Sequence, residues 1–498
     1  MRDLLIIGGG VNGAGIARDA AGRGLSVTLC EKDDLAAHTS SASTKLVHGG
    51  LRYLEHGEFR LVREALRERE VLLASAPHIV WPMRFVLPHD GGVRPAWMLR
   101  AGLFLYDLIG GHRTLPASHG VRLDKPPHAG ILQERLRKGF EYSDCWVEDA
   151  RLVVLNAIDA RERGADIRTR SEVVGLDRKG THWVARIRDA GGEHTVEARA
   201  LVNAAGPWVD ALAKQALGQG TPARLRLVKG SHIVVPRIHA GEFAYIFQQP
   251  DKRIVFAIPY ERDYTLIGTT DLMYEEERDG PLNEVEIVQS ERDYLRAAAG
   301  RYFSLVLTED DIVDTYSGVR PLYEDNATDN STVTRDYVFE LEAAGGAPIL
   351  SVYGGKITTY RKLSEHALAK LLPAIPGEWP KESWTREAPL PGGDMPDFPD
   401  FLWDMGERYG WLPPETLLRL ARAYGTRMER FLEGASSIDE LGGIVVGDLS
   451  EAELRYLVEE EFARTGEDVL WRRSKLGLHT PPDSEAIVDR WLTDCDCL

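Results

Sequence analysis

Short runs of branched apolar residues alternate with helical patterns up to Lys370, an arrangement typical of an α/β protein. Each run is bounded by glycine or by polar residues, as expected of a strand buried in a sheet. The predicted strands are residues 4–7, 26–30, 201–203, 232–235, 254–258 and 264–267.

The pattern changes after Lys370. Seven prolines and the pair Gly392-Gly393 fall within residues 373–400, a composition that predicts a linker. Beyond this segment the apolar positions recur at helical spacing, so we predict a small helical domain at the C-terminus. One face of its predicted helix carries Leu417, Leu420, Ala421 and Tyr424.

The first predicted strand leads directly into a glycine-rich loop in which Gly8, Gly10 and Gly13 satisfy G-x-G-x-x-G. These glycines allow a tight turn, the approach of a pyrophosphate and close packing of the next helix. The amides at the N-terminus of that helix bind phosphate. The second strand ends at Glu31, whose carboxylate can accept the hydroxyls of an adenosine ribose. The unit predicts an ADP-containing cofactor, but it does not separate NAD from FAD.

Composition narrows the function classes. The net charge of −17 argues against nucleic acid as a partner. No run approaches the roughly 18 apolar residues that span a bilayer, and the N-terminus does not resemble a signal peptide, so we expect a cytoplasmic protein. Four cysteines are too few for a disulfide framework. Cys30 is expected in the core, and Cys495 with Cys497 would need further ligands to bind a metal, so no metal site is predicted.

Three later segments favour FAD. Residues 39–53 form a loop of hydroxyls, a lysine and paired glycines that suits a pyrophosphate and a ribityl chain. Residues 201–208 are a buried strand that ends in a turn of small residues. In residues 353–362, Gly354 and Gly355 open a helix whose N-terminus can stabilise the negative charge of a reduced flavin.

These and other segments resemble the FAD-dependent glycerol-3-phosphate dehydrogenases. The most specific run is His48-Gly49-Gly50-Leu51-Arg52-Tyr53-Leu54-Glu55, and the resemblance extends to the helical domain around residues 470–473. The matching segments are 7–19, 40–55, 139–150, 227–236, 316–322 and 351–362.

The resemblance implies a D-amino-acid-oxidase-type FAD-binding Rossmann-like domain, a sheet-based substrate cap and the helical C-terminal domain. The FAD domain would comprise residues 1–80, 140–225 and 335–375, and the cap residues 81–139 and 226–334. A linker over 376–400 and the helical domain over 401–498 would complete the chain. The implied reaction oxidises sn-glycerol 3-phosphate to dihydroxyacetone phosphate, passing a hydride from C2 to N5 of non-covalently bound FAD and electrons onward to a quinone. Peripheral attachment to the cytoplasmic face of a membrane and a homodimer are implied as well.

The cofactor residues predicted on this basis come from the glycine-rich loop, the loop before His48, two later turns and the helix start after Gly354. They are Gly8, Gly10, Asn12, Gly13, Glu31, Lys32, Thr39, Ser40, Ser41, Ser43, Lys45, Leu46, His48, Gly49, Gly50, Val173, Ala205, Gly206, Trp208, Gly354, Gly355, Lys356, Ile357 and Thr358.

A phosphorylated substrate requires forked guanidinium donors, and a secondary alcohol requires a base. Arg52, Arg320 and Arg335 are the predicted phosphate ligands, with Tyr53 and Lys356 beside them. The predicted catalytic residues are His48, His232 and Arg320, since a neutral histidine accepts a proton near pH 7. The choice between the two histidines stays open at this stage.

Alternatives for the acceptor and for the membrane stay open as well. An oxidase would pass electrons to O2, and a NAD-dependent dehydrogenase would have no use for the loop before His48. Residues 95–110 are strongly apolar but interrupted by Arg100 and Asp107, so this segment can lie on a membrane surface or pack in a core or dimer contact.

Overall fold

The structure, a computed structural model, describes residues 1–91, 94–111, 114–324 and 336–495, without the side chains of Arg52, Glu55 and His56. Its strands in chain order are β1 Arg2–Ile7, β2 Val27–Cys30, β3 Leu46–Val47, β4 Val80–Pro88, β5 His119–Arg122, β6 Lys138–Val147, β7 Asp166–Arg168, β8 Glu172–Lys179, β9 His182–Asp189, β10 Gly192–Asn203, β11 Leu225–Pro236, β12 Phe243–Gln248, β13 Ile254–Tyr260, β14 Tyr264–Gly268, β15 Leu272–Met273, β16 Asp314–Tyr323, β17 Val338–Glu342, β18 Ile349–Tyr353, β19 Ile444–Val446 and β20 Leu449–Ser450.

The α-helices connect and cover these strands. They are α1 Val11–Gly22, α2 Phe59–Ser75, α3 Ala96–Ile109, α4 Asp149–Glu162, α5 Val209–Leu217, α6 Glu276–Asp279, α7 Gln289–Gly300, α8 Tyr360–Leu371, α9 Phe398–Arg408, α10 Pro414–Tyr424, α11 Glu429–Leu432, α12 Glu451–Glu461 and α13 Ser484–Asp494. A 3-10 turn, Ile357–Thr359, leads into α8.

The first sheet has the strand order β17-β18-β10-β1-β2-β7, with β9 and β8 added beside β10. β1 pairs in parallel with β2 and β10, and β18 pairs in parallel with β10. β1, α1 and β2 are consecutive, so the parallel pair is made by one short helical crossover. The carboxyl ends of these parallel strands meet at one edge, where a ligand binds in α/β sheets of this kind.

The second sheet has ten strands, most of which lie in the residues predicted to form the substrate cap. Its main order is β15-β11-β14-β13-β12-β4-β6-β3, with β16 beside β11 and β5 beside β6. β11 and β16 pair antiparallel over ten residue pairs, from Leu225↔Tyr323 to Val234↔Asp314. This long pairing places residues from two distant parts of the chain on one ladder. α7 packs against this sheet, with Leu295 and Ala299 buried in a core cluster it shares with Ile233 and Ile267.

The predicted boundary at residue 140 does not follow the sheet. β6 pairs with β4 from Pro88↔Gly139 to Val80↔Val147, and β3 pairs with the end of β6 at Leu46↔Trp146. Residues 140–147 and 46–47 therefore belong to the second sheet. The reason is that β6 is one continuous ladder, so pairing begun at residue 138 continues to its end.

The segment predicted as a linker packs against the first domain. Arg18 lies over the ring of Trp384, and Thr385 is buried beside Arg361, to which its hydroxyl is hydrogen-bonded. The helical C-terminal domain then packs against α4 and the loop after β2 through buried ion pairs. Arg473 binds Asp34, and Arg151 binds Glu461.

None of the described helices combines the length and the apolar character needed to cross a bilayer. Cys30 is buried at the end of β2. Cys497 lies outside the described residues.

Candidate active site

The turn after β1 requires glycine at two positions. Gly8 has φ +113, and a Cβ there would lie 2.4 Å from the carbonyl oxygen of Ala204. A Cβ on Gly13 would lie 1.9 Å from the carbonyl oxygen of Gly8. The loop is therefore pressed against its own backbone and against the end of β10, which brings the N-terminus of α1 to the edge of the sheet.

A cavity of about 330 Å³ opens at this edge. Glu31 lies at its inner wall, only 8% exposed, and accepts hydrogen bonds from the amides of Gly9 at 2.6 Å and Asp33 at 2.9 Å. Burial raises the pKa of the Glu31 carboxyl, although these amide donors oppose the effect. The carboxyl group lies beside Gly8 and Gly10, as an adenosine ribose next to a pyrophosphate requires.

The rest of the wall comes from the loop after β2, from β8 and from the turn after β10. The Lys32 ammonium group lies 4.1 Å from the centre of the Trp208 ring. The centres of the Trp208 and His38 rings are 4.7 Å apart. Predicted residues that line this cavity are Gly8, Gly10, Glu31, Lys32, Thr39, Ser40, Val173, Ala205, Gly206 and Trp208. The wall combines a flat aromatic surface with small residues, a shape that suits a planar base.

The two glycine turns of the first domain meet at Asn12. Its side-chain amide donates to the carbonyl of Gly354 at 3.0 Å, whereas its buried Oδ1 has no hydrogen-bond partner among the described residues. A Cβ on Gly355 would lie 3.0 Å from this side chain. A buried acceptor without a donor, next to two helix N-termini, fits the pyrophosphate and flavin parts of FAD.

The loop before His48 is fixed by its own polar residues. Ser40 Oγ accepts from the Val11 amide at 3.0 Å. Ser43 Oγ and Lys45 Nζ both donate to Asp149, each at 2.7 Å, and Lys45 is only 1% exposed. Hydrogen bonds from these two predicted cofactor residues to Asp149 thus fix the conformation of the loop.

Other predicted loop residues are also held by hydrogen bonds. Thr39 Oγ1 donates to the carbonyl of Val319 at 2.7 Å, and Ser41 Oγ donates to the carbonyl of His38 at 3.1 Å. Leu46 continues into β3. The Gly49 amide donates to the Tyr106 hydroxyl at 2.8 Å.

A second cavity, of about 660 Å³, lies between this loop, α3 and the second sheet. His48, Gly50, Tyr53 and Arg320 line its polar side together with the segment 269–271. The opposite side is apolar and comes from α3 and from strands β4, β12 and β13. This cavity brings together one predicted histidine and one predicted arginine that are separated by more than half of the chain.

The two predicted histidines occupy different positions. His48 is at the wall of the cavity, and its amide donates to Thr358 Oγ1 at 3.3 Å. His232 is 2% exposed, stacks on Tyr316 and lies 3.0 Å from the hydroxyl of Thr44, which lines the cavity. Burial lowers the pKa of His232 to about 3, assisted by Lys45 and Arg320, so its ring is neutral near pH 7.

The Arg320 side chain comes from β16 and is held by the segment after β14. It donates to the carbonyl of Thr270 at 3.2 Å and pairs with Asp271 at 3.1 Å. The Lys356 ammonium group lies 4.1 Å from the ring centre of Tyr53, which lines the same cavity. Ile357 and Thr358 follow in the turn that leads into α8.

Arg335 lies outside the described residues, as does the side chain of Arg52. Arg94 and Arg253 also line the larger cavity, although neither is among the residues predicted from the sequence. Arg253 pairs with Asp251 at 2.7 Å and packs on the ring of Tyr294. Its position directly before a predicted strand was the available signal, because the strand ends of the cap surround this cavity.

Comparison with known proteins places these features in context. The family described as FAD dependent oxidoreductase matches residues 3–361, and the family described as C-terminal domain of alpha-glycerophosphate oxidase matches residues 383–493. The glycerol-3-phosphate dehydrogenase of Pseudomonas aeruginosa is 52% identical over 98% of this chain and 94% of its own length. The D-erythritol 1-phosphate dehydrogenase of Brucella abortus is 50% identical over 99% of this chain and 98% of its own length.

Among solved structures, the chain is similar to the glycerol-3-phosphate dehydrogenase from Bacillus halodurans, which was solved in complex with FAD. The TM-score is 0.77 at 29% identity, and the match covers 99% of this chain and 90% of that chain. The similarity therefore includes both sheets and the helical C-terminal domain.

Proposed function

The chain belongs to the family of FAD-dependent glycerol-3-phosphate dehydrogenases, and we propose that it oxidises sn-glycerol 3-phosphate to dihydroxyacetone phosphate. The observation that carries this proposal is the 660 Å³ cavity, in which His48 and Arg320 face one space beside the loop that borders the cofactor. A base for an alcohol proton and a guanidinium for a phosphate are the two groups that this substrate needs.

FAD is the cofactor of this family, and it would supply the acceptor for a hydride from C2 of the substrate. We assign the adenosine half to the 330 Å³ cavity, with Glu31 on the ribose and Trp208 beside the base. The N-terminus of α1 and the Gly354-Gly355 turn, which Asn12 joins, would hold the pyrophosphate and the flavin edge.

His48 is the proposed base. It lines the cavity, whereas His232 lies behind Thr44 and is kept neutral by its burial. We assign to His232 the task of orienting the Thr44 hydroxyl, and to His48 the removal of the C2 hydroxyl proton. Arg320, Tyr53 and Lys356 bind the phosphate end, together with Arg52 and Arg335 on the strength of the family resemblance.

A second candidate substrate is D-erythritol 1-phosphate. A relative that is 50% identical over nearly the whole chain carries this activity in its name. Both compounds are polyol monophosphates, so the same base and guanidinium groups serve either one. The two substrates differ in chain length, and kcat/KM measured for both on the purified protein ranks them.

We further propose that electrons leave to a quinone. The apolar side of the larger cavity offers a surface for a hydrophobic acceptor, with Leu99, Leu105 and Phe256 among its residues. Turnover with a soluble quinone analogue, run beside detection of hydrogen peroxide in air, distinguishes this acceptor from O2. Peroxide formed in proportion to substrate would instead support an oxidase.

The exposed face of α3 is the proposed membrane contact. Trp97 is 71% exposed, Phe104 58% and Leu108 60%, and their spacing places them on one side of the helix. Ile109, at the end of α3, lines a groove together with the exposed Arg63 and Arg67 of α2. These two arginines suit anionic headgroups.

The test is co-sedimentation with vesicles of phosphatidylglycerol and phosphatidylethanolamine. Trp97→Ser combined with Phe104→Ser should abolish binding, while Trp403→Ser in the C-terminal domain, where Trp403 is 67% exposed, should not. Equal binding of both variants would contradict the assignment. The unmodified protein could instead bind no vesicles and dimerise with increasing concentration. If only the double variant then lost this dimerisation, the face would be assigned to the homodimer that the resemblance implies.

The proposed reaction itself is tested by reduction of the bound flavin under anaerobic conditions. Addition of sn-glycerol 3-phosphate should bleach the flavin absorbance, and glycerol without its phosphate should not at the same concentration. An unchanged spectrum with either phosphorylated polyol would overturn the proposal.

A further inference from the structure

A buried ionic network lies behind the cap sheet, outside the cavity itself. Lys229 on β11 is 0% exposed, and its Nζ lies 2.9 Å from Asp279 Oδ1 and 2.8 Å from Glu291 Oε2. Ion pairs of this kind cost desolvation energy and are often replaceable by apolar residues when stability alone is at stake. We therefore expect this network to hold a neighbouring group in position.

Glu291 connects this network to the wall of the cavity. Its Oε1 accepts hydrogen bonds from Thr270 Oγ1 at 2.6 Å and from Ser231 Oγ at 2.9 Å. The Ser231 amide in turn donates to Thr270 Oγ1 at 2.8 Å. The Thr270 hydroxyl thus donates to a carboxylate and accepts from an amide, which fixes its rotamer and the backbone that carries it.

Thr270 holds the guanidinium group that faces the substrate. Its carbonyl oxygen accepts from Arg320 at 3.2 Å, and the next residue, Asp271, pairs with Arg320 at 3.1 Å. A second route runs along β16, since Ser317, three residues before Arg320, lies 2.7 Å from Ser231 Oγ. Because Ser231 gives its proton to Glu291, Ser317 is the donor in this contact.

We propose that Glu291, held by Lys229, is a positioning residue that sets the orientation of the Arg320 guanidinium toward the substrate phosphate. The inference rests on the proposed function. A guanidinium binds phosphate through two parallel hydrogen bonds, so rotation of its plane loses one of them. Glu291 itself does not touch the substrate, because Thr270 and the strand stand between it and the cavity.

The test compares substrate affinity and turnover in Glu291→Gln. Phosphate binding contributes equally to the ground state and the transition state, so its loss raises KM and leaves kcat nearly unchanged. We expect KM for sn-glycerol 3-phosphate to rise by about tenfold or more, within the range of a 1 Å misplacement. Flavin content should be unchanged. Asp293→Asn, on the same helix but outside the network, is the matched control and should keep the KM of the unmodified chain.

A second pair of variants covers the case in which Glu291→Gln does not fold. Thr270→Val removes the hydroxyl and keeps the shape, and Thr270→Ser keeps the hydroxyl. The inference predicts a raised KM in the first and a KM near that of the unmodified chain in the second. Equal KM values in both, or a fall in kcat at unchanged KM, would overturn it.

The unmodified chain is measured first, so the two failures are distinguishable. No reduction of its flavin by sn-glycerol 3-phosphate would contradict the proposed function. Normal turnover of the unmodified chain together with an unchanged KM in Glu291→Gln would contradict the positioning role alone.

Discussion

The 330 Å³ cavity and the 660 Å³ cavity are built in different ways. The inner wall of the 330 Å³ cavity, the proposed cofactor cavity, comes from residues that are close in sequence, with Gly8, Gly10 and Glu31 on two adjacent parallel strands and their turns. The polar wall of the larger cavity comes from the loop at His48, the segment at Thr270 and Arg320 on β16. The first depends on backbone conformation, and the second on side chains that the cap sheet brings together.

The difference teaches where each type of binding site can fail. A cofactor site made of backbone turns tolerates most side-chain changes, whereas a substrate site made of distant side chains depends on each of them. Variants should therefore fall into two groups. One group should slow substrate oxidation while FAD stays bound, and the other should weaken FAD binding.

The largest effect is expected from His48→Asn, because this change removes the proposed base. General base catalysis contributes roughly 10²–10⁴-fold, so the rate of flavin reduction should fall by about that factor. Stopped-flow reduction with sn-glycerol 3-phosphate measures it. FAD content should not change, and His182→Asn on β9 is the control. A reduction rate equal to that of the unmodified protein would exclude His48 as the base.

The next effect concerns the phosphate end. Arg320→Ala should lower kcat/KM about hundredfold, since charge-assisted hydrogen bonds contribute roughly 1.5–3 kcal/mol each. Arg320→Lys keeps the charge but loses the fork and should recover only part of the loss. The control is Arg188→Ala, whose side chain is 56% exposed on the hairpin of the first sheet. If Arg320→Ala kept full kcat/KM, the phosphate site would have to lie elsewhere.

The pH dependence of stability tests the neutral histidine behind the larger cavity. The folded pKa of His232 is about 3, against an ordinary 6.5, so the unfolded chain takes up a proton first as the pH falls. Stability is therefore lost from about pH 6.5 downward, and His232 accounts for about 2 kcal/mol of the loss between pH 7 and pH 5. Urea unfolding of His232→Gln at both pH values should show a smaller loss by that amount. The same loss in both proteins would contradict a neutral, buried His232.

The smallest effect is expected in the cofactor cavity. Glu31→Gln should lower the affinity for FAD about tenfold, because a side-chain amide accepts hydrogen bonds from the ribose hydroxyls less strongly than a carboxylate does. Titration of the apoprotein with FAD measures the affinity. Glu172→Gln, at an exposed position of the same cavity, should bind FAD normally. If Glu31→Gln changed KM for the substrate at saturating FAD, the separation between the two cavities would fail.

The features that the sequence predicts are those that depend on the local backbone, as in the proposed cofactor cavity. The strands at residues 4–7 and 26–30 and the turn at Gly8 were predictable, because apolar runs and glycine spacing constrain the backbone locally. The α/β fold with an FAD domain of the D-amino-acid-oxidase type was predicted and is confirmed. The helical C-terminal domain is confirmed as well.

What could not be predicted depends on long-range pairing. Ser43 and Lys45 stay predicted cofactor residues, but no local pattern predicts their hydrogen bonds to Asp149, which lies about a hundred residues later. The contribution of Arg253 to the larger cavity depends on which strand ends are neighbours in the second sheet, and that of Arg94 depends on where α3 packs. Strand order is not encoded in any local pattern, so these neighbours appear only in the folded chain.

Anaerobic mixing of the purified protein with sn-glycerol 3-phosphate, followed by the visible spectrum, tests the central assignment most directly. We predict a yellow protein with two flavin absorption bands before mixing and a bleached flavin after it, with full recovery of the bands when a quinone analogue is added. A protein without flavin absorbance, or a flavin that neither sn-glycerol 3-phosphate nor D-erythritol 1-phosphate reduces, would contradict the account.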